Sequence, residues 1–146
     1  MHMRGKPETM QKEIEFKDVV QEVYDELGER VTLASASGIS SELLFVDPGI
    51  GFGKKVEHNL QLLRGLQRFG FLAPVVVGAS RKAFIGALTG QTVATERVAG
   101  SLAALAAAME GGAAIVRVHD VRESIDFLKV VGAIKAATRP GGAGER

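Results

Sequence analysis

The feature of this sequence that most constrains its fold is a set of three short, mostly apolar runs, each ended by a turn or a polar residue. The runs lie at residues 43–46, 74–77 and 115–119. Short runs that are apolar at consecutive positions are typical of strands whose two faces are both covered. Helical patterns separate the runs, so the sequence predicts a parallel α/β sheet.

Amphipathic patterns predict the helices between these strands. From Met10, apolar positions recur every three or four residues as far as Val31, which predicts a long leading helix with one buried face. Shorter helical segments are expected at residues 33–36, 60–69, 81–89, 96–109 and 122–137. We interpret residues 1–138 as one domain and residues 139–146, which are rich in Gly and carry a Pro, as a flexible tail.

Composition narrows the possible functions. The 146 residues carry a formal net charge of +1, which provides no basic field for nucleic acid. The chain has no Cys, which excludes disulfides, a thiolate metal site and a cysteine nucleophile. No apolar run is long enough to span a bilayer, and the first residues lack the apolar centre of a secretory signal. We therefore expect a cytoplasmic protein without a nucleic-acid or membrane partner.

Polar side chains cluster where the predicted strands end. In chain order they are Asp47, Ser80, Arg81, Lys82, Arg117 and His119. The carboxyl ends of parallel strands meet at one edge, where α/β proteins carry their active sites. Arg can bind phosphate or carboxylate through two N–H groups, and Asp can accept paired N–H donors from a heterocycle. The pattern predicts an anion site beside one buried carboxylate.

Each of these residues also has a purely structural interpretation. Asp47 stands before Pro and Gly and could serve only as a turn residue. Residues 80–82 could be a helix cap followed by a solvated basic face. Arg117 favours function, because a charge inside an apolar strand must be paired or face a cavity.

Other catalytic and binding motifs do not fit. A phosphate loop at residues 48–55 fails because Pro48 stands where Gly is needed and Lys55 where Ser or Thr is needed. A nucleophile elbow at Ser80 fails because Lys82 replaces the required Gly. The three His residues show no zinc spacing.

Four segments together resemble the C-terminal half of the dihydropteroate synthase family, at residues 1–5, 45–54, 77–86 and 115–121, and residues 96–102 also fit. The resemblance implies the C-terminal part of a (β/α)8 TIM barrel, with about three complete βα units and a leading helix. It also implies a transferase of folate biosynthesis. This enzyme joins 4-aminobenzoate to 6-hydroxymethyl-7,8-dihydropterin diphosphate and releases pyrophosphate.

The resemblance assigns roles to individual residues. Asp47 would bind the amino and ring N–H groups of the pterin, and Lys82 would contact its carbonyl and ring nitrogen. Arg117 and His119 would hold the diphosphate, which makes Lys82, Arg117 and His119 the expected catalytic residues. Ser80 and Arg81 would lie near the aminobenzoate carboxylate. Further substrate contacts are implied for Phe52, near the aminobenzoate ring, and Met1, in the pterin pocket.

The resemblance covers only half of the family's barrel. The chain starts at the end of what would be the fifth strand, and the Asn that meets Mg²⁺ belongs to the half that is missing. We therefore expect Mg²⁺ as cofactor with its protein ligand elsewhere, and a truncated half that is inactive alone. A complementary N-terminal half or a second copy is the expected partner. The alternatives are a pterin-binding domain of the methyltetrahydrofolate methyltransferase type and a non-catalytic remnant.

Overall fold

A computed structural model describes residues 1–5 and 14–137. These residues form helices α1 (Val19–Ala36), α2 (Val56–Arg64), α3 (Ala83–Thr89), α4 (Val98–Glu110) and α5 (Val121–Ala136), with strands β1 (Val76–Val77) and β2 (Ile115–Val116). Short 3-10 helices lie at Ser41–Leu43, Leu66–Phe71 and Ala94–Glu96. The predicted tail at residues 139–146 lies outside the described residues.

The strands form a small parallel sheet, as the sequence predicts. Val76 pairs with Ile115 and Val77 with Val116. On the other side of β1, Val46 joins by a single parallel bridge to Val75, with the Val76 amide donating to the Val46 carbonyl at 2.8 Å. The residues that follow Val46, β1 and β2 therefore leave the sheet at the same edge.

The strands are shorter than the apolar runs that predict them. Leu43 belongs to a 3-10 helix and is exposed, so only Val46 of the first run pairs with a neighbour. Pro74 lacks an N–H and contributes only its carbonyl, which accepts from the Val46 amide at 3.0 Å. The third run pairs over Ile115–Val116, and Arg117 continues it with one amide bond to the Val77 carbonyl at 2.8 Å.

The leading helix begins later than predicted. Asp18 caps α1 by accepting hydrogen bonds from the amides of Val20 and Gln21 at 3.1 and 3.0 Å. Ile14, predicted on the buried face of the helix, lies before it, and residues 10–13 are outside the described part. Residues 33–36 are the last turn of α1 rather than a separate helix.

The core lies between the sheet and the helices. Val23 and Leu27 of α1 pack with Val46, Val77 and the aliphatic side chains of α2. Phe69, from the 3-10 helix after α2, is fully buried in the same cluster. Within residues 1–5 and 14–137, no helix has the length and apolar character needed to cross a membrane.

Candidate functional site

Asp47 occupies the turn that follows Val46. Its Oδ1 accepts a hydrogen bond from the Gly49 amide at 2.7 Å, and its carbonyl accepts from the His2 amide at 2.8 Å. Burial raises the pKa of the Asp47 carboxyl, while the Gly49 hydrogen bond and the charges of Lys82 and Lys54 oppose that rise. The turn thus presents a half-buried carboxylate at the edge of the sheet.

Lys82 lies beside this carboxylate. Its Nζ stands 4.0 Å from the centre of the Phe52 ring, a cation–π contact. Burial lowers the pKa of the Lys82 ammonium; Asp47 opposes this effect and Arg117 adds to it. Since the charges of Asp47 and Arg117 both act on Lys82, these three side chains, which follow three different strands, lie in the same region at the edge of the sheet.

Arg117 and His119 follow β2 and extend the site. Arg117 is exposed, and its guanidinium makes no hydrogen bond or ion pair within the described residues. The His119 amide donates to the Ser80 hydroxyl at 3.2 Å, and His119 Nδ1 lies 3.1 Å from the same oxygen. Ser80 is buried, so it fixes the position of His119 at the rim while Arg117 remains available to an anion.

The side chain of Arg81 binds a different partner from that of Lys82. Its guanidinium forms an ion pair with Asp120, with Nε donating to Oδ2 at 3.1 Å. Its backbone is left-handed, with φ of 59°, which a non-glycine residue adopts only at a cost. The start of α4 holds this backbone: Ser101 Oγ accepts from the Arg81 amide and Arg97 Nη1 donates to the Arg81 carbonyl, both at 2.9 Å.

Met1 and Phe52 border the site from two sides. Met1 is exposed and immediately precedes His2, whose amide binds the Asp47 carbonyl. Phe52 is partly buried below the Lys82 ammonium. The structure therefore places both near the charged cluster, while their contacts with substrates remain predictions.

The sequence analysis assigned no role to three buried polar residues at the loop from Gly49 to Lys54, namely His2, Lys54 and Asn59. Lys54 Nζ lies 3.0 Å from His2 Nδ1 and 3.0 Å from the Phe52 carbonyl. Asn59 Oδ1 accepts from the Gly51 amide at 2.6 Å. A Lys directly after a glycine-rich turn and a His between two Met residues were the only available signals, and neither reveals burial.

The metal expected from the resemblance has no protein site in the described part of the chain. Residues 1–5 and 14–137 contain no group of three or more His, Asp or Glu side chains that could hold a metal ion. The side chains present therefore do not fit a resident Mg²⁺ centre, and Mg²⁺ stays a prediction.

The fold and the site define a class of α/β proteins with a charged binding site at the carboxyl edge of a parallel sheet. The model of the family described as "Pterin binding enzyme" matches residues 1–119. The chain belongs to this family of pterin-binding enzymes.

Individual relatives agree with this assignment and confirm the resemblance found in the sequence. The dihydropteroate synthase of Neisseria meningitidis serogroup B is 47% identical over 136 residues, covering 89% of this chain and 47% of the relative. A crystal structure of the Stenotrophomonas maltophilia dihydropteroate synthase with active site-bound imidazole superimposes with a TM-score of 0.90 at 42% identity, covering 94% of this chain and 52% of the other.

A second similar structure holds a bound pterin compound. It is the Xanthomonas albilineans dihydropteroate synthase in complex with 7,8-dihydropteroate, with a TM-score of 0.83 and 46% identity over 85% of this chain and 48% of the other. The chain spans about half the length of the relatives it matches.

Proposed function

We propose that this chain is the C-terminal half of a (β/α)8 barrel of the dihydropteroate synthase type. In this proposal it carries part of a site that condenses 4-aminobenzoate with 6-hydroxymethyl-7,8-dihydropterin diphosphate. The observation that carries the proposal is the position of Lys82 at the edge of the sheet, where its ammonium stands 4.0 Å from the centre of the Phe52 ring and near enough to Asp47 and Arg117 for their opposite charges to act on its pKa. The similarity to a synthase solved with 7,8-dihydropteroate supports the substrate class.

The charges of the site suit the reaction. The arylamine nitrogen attacks the methylene carbon of the pterin, a C–N bond forms, the C–O bond to the diphosphate breaks, and the nitrogen loses a proton. Negative charge grows on the departing pyrophosphate, and Arg117 and His119 would stabilise it. A preorganised donor at a developing anion contributes about 3 kcal/mol. No protein nucleophile is needed.

The carboxylate would orient the pterin. Asp47 Oδ1 already accepts from Gly49, which fixes the carboxyl plane. Carboxylate oxygens have several acceptor positions, so the group can still accept the pterin amino and ring N–H groups. Lys82, held over the Phe52 ring, would donate to the pterin carbonyl and ring nitrogen.

The aminobenzoate side of the site would use Ser80 and Arg81. The ion pair of Arg81 with Asp120 uses Nε and Nη2. This arrangement leaves Nη1 for the substrate carboxylate, since a guanidinium has N–H donors on all three nitrogens. Ser80 would act mainly through His119, which its hydroxyl holds.

The remaining requirements of the reaction would come from outside this chain. Mg²⁺, which neutralises diphosphate charge when bound, would meet its protein ligand in a complementary N-terminal half. That half would also supply the first four strands of the barrel. A second copy of this chain is the other partner we consider.

The proposal is tested by mixing this chain with the N-terminal half of the Neisseria meningitidis synthase and measuring dihydropteroate formation. We expect activity only in the mixture. Lys82→Met and Arg117→Met should each lower the rate by about 100-fold or more, because each removes a charged donor from the site. Lys129→Met, at an exposed lysine on α5, is the matched control and should leave the rate unchanged.

Calorimetry on this chain alone separates the alternatives. Binding of the pterin diphosphate, weakened by Lys82→Met, supports the proposed site. Pterin binding without turnover in the mixture would favour a domain of the methyltransferase type. A chain that binds neither substrate and gives no activity in the mixture would be a non-catalytic remnant.

A further inference from the structure

We propose that Lys54 is a positioning residue, whose buried ammonium holds the loop from Asp47 to Phe52 in the shape that presents the Asp47 carboxylate to the ligand. The inference rests on the proposed function only for the identity of that ligand. The Lys54 ammonium contacts His2 Nδ1 and the Phe52 carbonyl oxygen, and we assign it no direct contact with the ligand. It acts through the backbone of the loop and through His2.

The burial of Lys54 makes its contacts specific. The side chain is 4% exposed, and its Nζ lies 3.0 Å from both His2 Nδ1 and the Phe52 carbonyl oxygen. A buried ammonium is costly unless its N–H groups are bound, so the two acceptors fix where the charge can sit. Through the Phe52 carbonyl, Lys54 also sets the position of the ring under Lys82.

The loop fits tightly against the same pair of residues. Gly49 has φ of +70°, and a Cβ at this position would lie 1.9 Å from the His2 carbonyl oxygen and 3.4 Å from Lys54 Nζ. His2 also donates its amide to the Asp47 carbonyl at 2.8 Å. His2 and Lys54 therefore bind the loop at its start, Asp47, and at Phe52, and they pack so closely against Gly49 that a side chain at this position would clash with His2.

The ring of His2 is placed to accept a hydrogen bond from Lys54. Its Nδ1 faces the ammonium, so the ring proton of the neutral form belongs on Nε2, which lies 3.1 Å from Glu26 Oε2 but is not aligned for a hydrogen bond within the described residues. Burial lowers the pKa of His2 to about 4, and the charge of Lys54 contributes to this shift. Glu26 forms ion pairs with Arg4 and Arg30, which anchor this end of the network on α1.

Lys54 also acts on Asp47 by its charge. Burial lowers the pKa of Lys54 to about 8, with Asp47 and Glu26 opposing that shift, so the group is mainly protonated at neutral pH. The positive charge in turn opposes the rise that burial causes in the pKa of Asp47. A neutral side chain at position 54 should therefore change both the loop backbone and the titration of the carboxylate.

The experiment uses the ligand-free chain and nuclear magnetic resonance. In Lys54→Met, we expect shifted amide resonances for Gly49, Gly51 and Phe52, and a raised pKa for the Asp47 carboxyl in a pH titration. The amides of α4 should not move. Affinity for 6-hydroxymethyl-7,8-dihydropterin diphosphate should fall by about tenfold or more, since the loop that presents the Asp47 carboxylate loses the charged hydrogen bond that holds it. Lys55→Met, at the exposed neighbouring lysine, is the matched control.

A second pair of variants keeps the test decisive if Lys54→Met does not fold. His2→Asn retains an acceptor near the position of Nδ1 and should preserve the loop resonances and the Asp47 titration. His2→Leu removes the acceptor and should alter both. Equal spectra for these two variants, or an unchanged loop and Asp47 pKa in Lys54→Met, would overturn the inference.

The affinity measurement distinguishes this inference from the proposed function. If the unaltered chain binds no pterin, the proposed function fails, while the loop and titration results still decide whether Lys54 positions Asp47. If the chain binds the pterin and Lys54→Met binds it equally well, the positioning role is wrong and the proposed function stands.

Discussion

His2 connects more of this molecule than any motif around it suggests. Its backbone amide binds the Asp47 carbonyl, its Nδ1 accepts from Lys54, and its Nε2 faces Glu26 on α1. The side chain is fully buried, and its aromatic neighbour Phe16 lies 6.2 Å away between ring centres. A single residue thus joins the helix layer to the edge of the sheet where the site lies.

The buried position of His2 predicts a pH dependence of stability. Burial and the charges of Lys54, Arg4 and Arg30 lower its pKa from 6.5 to about 4, against the opposing effect of Glu26. Between these pH values the unfolded chain binds the proton more readily, so this residue makes the free energy of unfolding rise as the pH increases from about 4 to 6.5. Its contribution is complete above pH 6.5 and is lost as the pH falls through that window.

Urea denaturation across that pH window, compared between the unaltered chain and His2→Asn, provides the measurement. The variant lacks the titrating ring, so its free energy of unfolding should depend less steeply on pH. Identical slopes in the two proteins would show that His2 does not titrate differently on unfolding.

The sequence predicts candidate site residues where their position follows from strand order. Asp47 and Lys82 come after the first and second apolar runs and Arg117 lies in the third, and parallel strands bring such positions together. Lys54 could not be found in this way, because its burial arises when the glycine-rich loop folds back over His2, which is 52 residues away in the chain. The pairing of Arg81 with Asp120 was also missed, because these residues are 39 positions apart in the chain and only the fold brings them together.

At the scale of the elements, local capping overrides apolar periodicity at the start of α1. Ile14 and Phe16 continue the apolar pattern toward the N-terminus, yet the helix begins only at Val19. Asp18 supplies the side-chain acceptor that the first helical amides need, and its backbone is extended. A carboxylate at this end also interacts favourably with the helix dipole.

This cap predicts a measurable loss of stability. Asp18→Ala should lower the free energy of unfolding by about 1 kcal/mol, because the amides of Val20 and Gln21 lose their acceptor. Asp18→Asn keeps an acceptor oxygen and should cost much less. Thermal and urea denaturation of both variants can decide this, and equal stability of Asp18→Ala and the unaltered chain would contradict the assigned cap.

The strands show what the pattern of apolar residues predicts about individual elements. Apolar runs correctly predicted where the parallel pairs form. Val46, Val75 and Val77 are buried as the runs suggest, whereas Ile115 on β2 is 46% exposed, so the expectation that both faces of every strand are covered is wrong there. The predicted strands were too long. Pro74 lacks an N–H, and residues 41–43 form a 3-10 helix that takes up the start of the first run.

The whole molecule leaves a large apolar surface uncovered at its last helix. Among the residues of α5, Ser124 alone is buried, while Val121, Ile125, Val130 and Ile134 are exposed. Ile115 on β2 is exposed as well. Apolar surfaces of this kind favour association with another protein surface.

We therefore predict that the isolated chain self-associates with increasing concentration. Ile134→Lys, at a side chain that is 68% exposed, should shift sedimentation velocity profiles toward the monomer. Asp126→Asn changes the net charge by the same amount on the same helix and serves as the control. A monomer at all concentrations, or equal effects of the two substitutions, would argue against association through this helix.

Arg81 and Lys82 are consecutive and both positively charged, and the left-handed backbone at Arg81 allows their side chains to contact different partners. Arg81 forms the ion pair with Asp120, and Lys82 lies over the ring of Phe52. Because Arg97 and Ser101 bind the carbonyl and the amide of Arg81, the backbone that immediately precedes Lys82 is tied to the start of α4. Glycine at position 81 would adopt this backbone more easily but would give up the ion pair. The chain thus accepts a locally unfavourable conformation and obtains a direct hydrogen-bonded connection between α4 and the segment that carries Lys82.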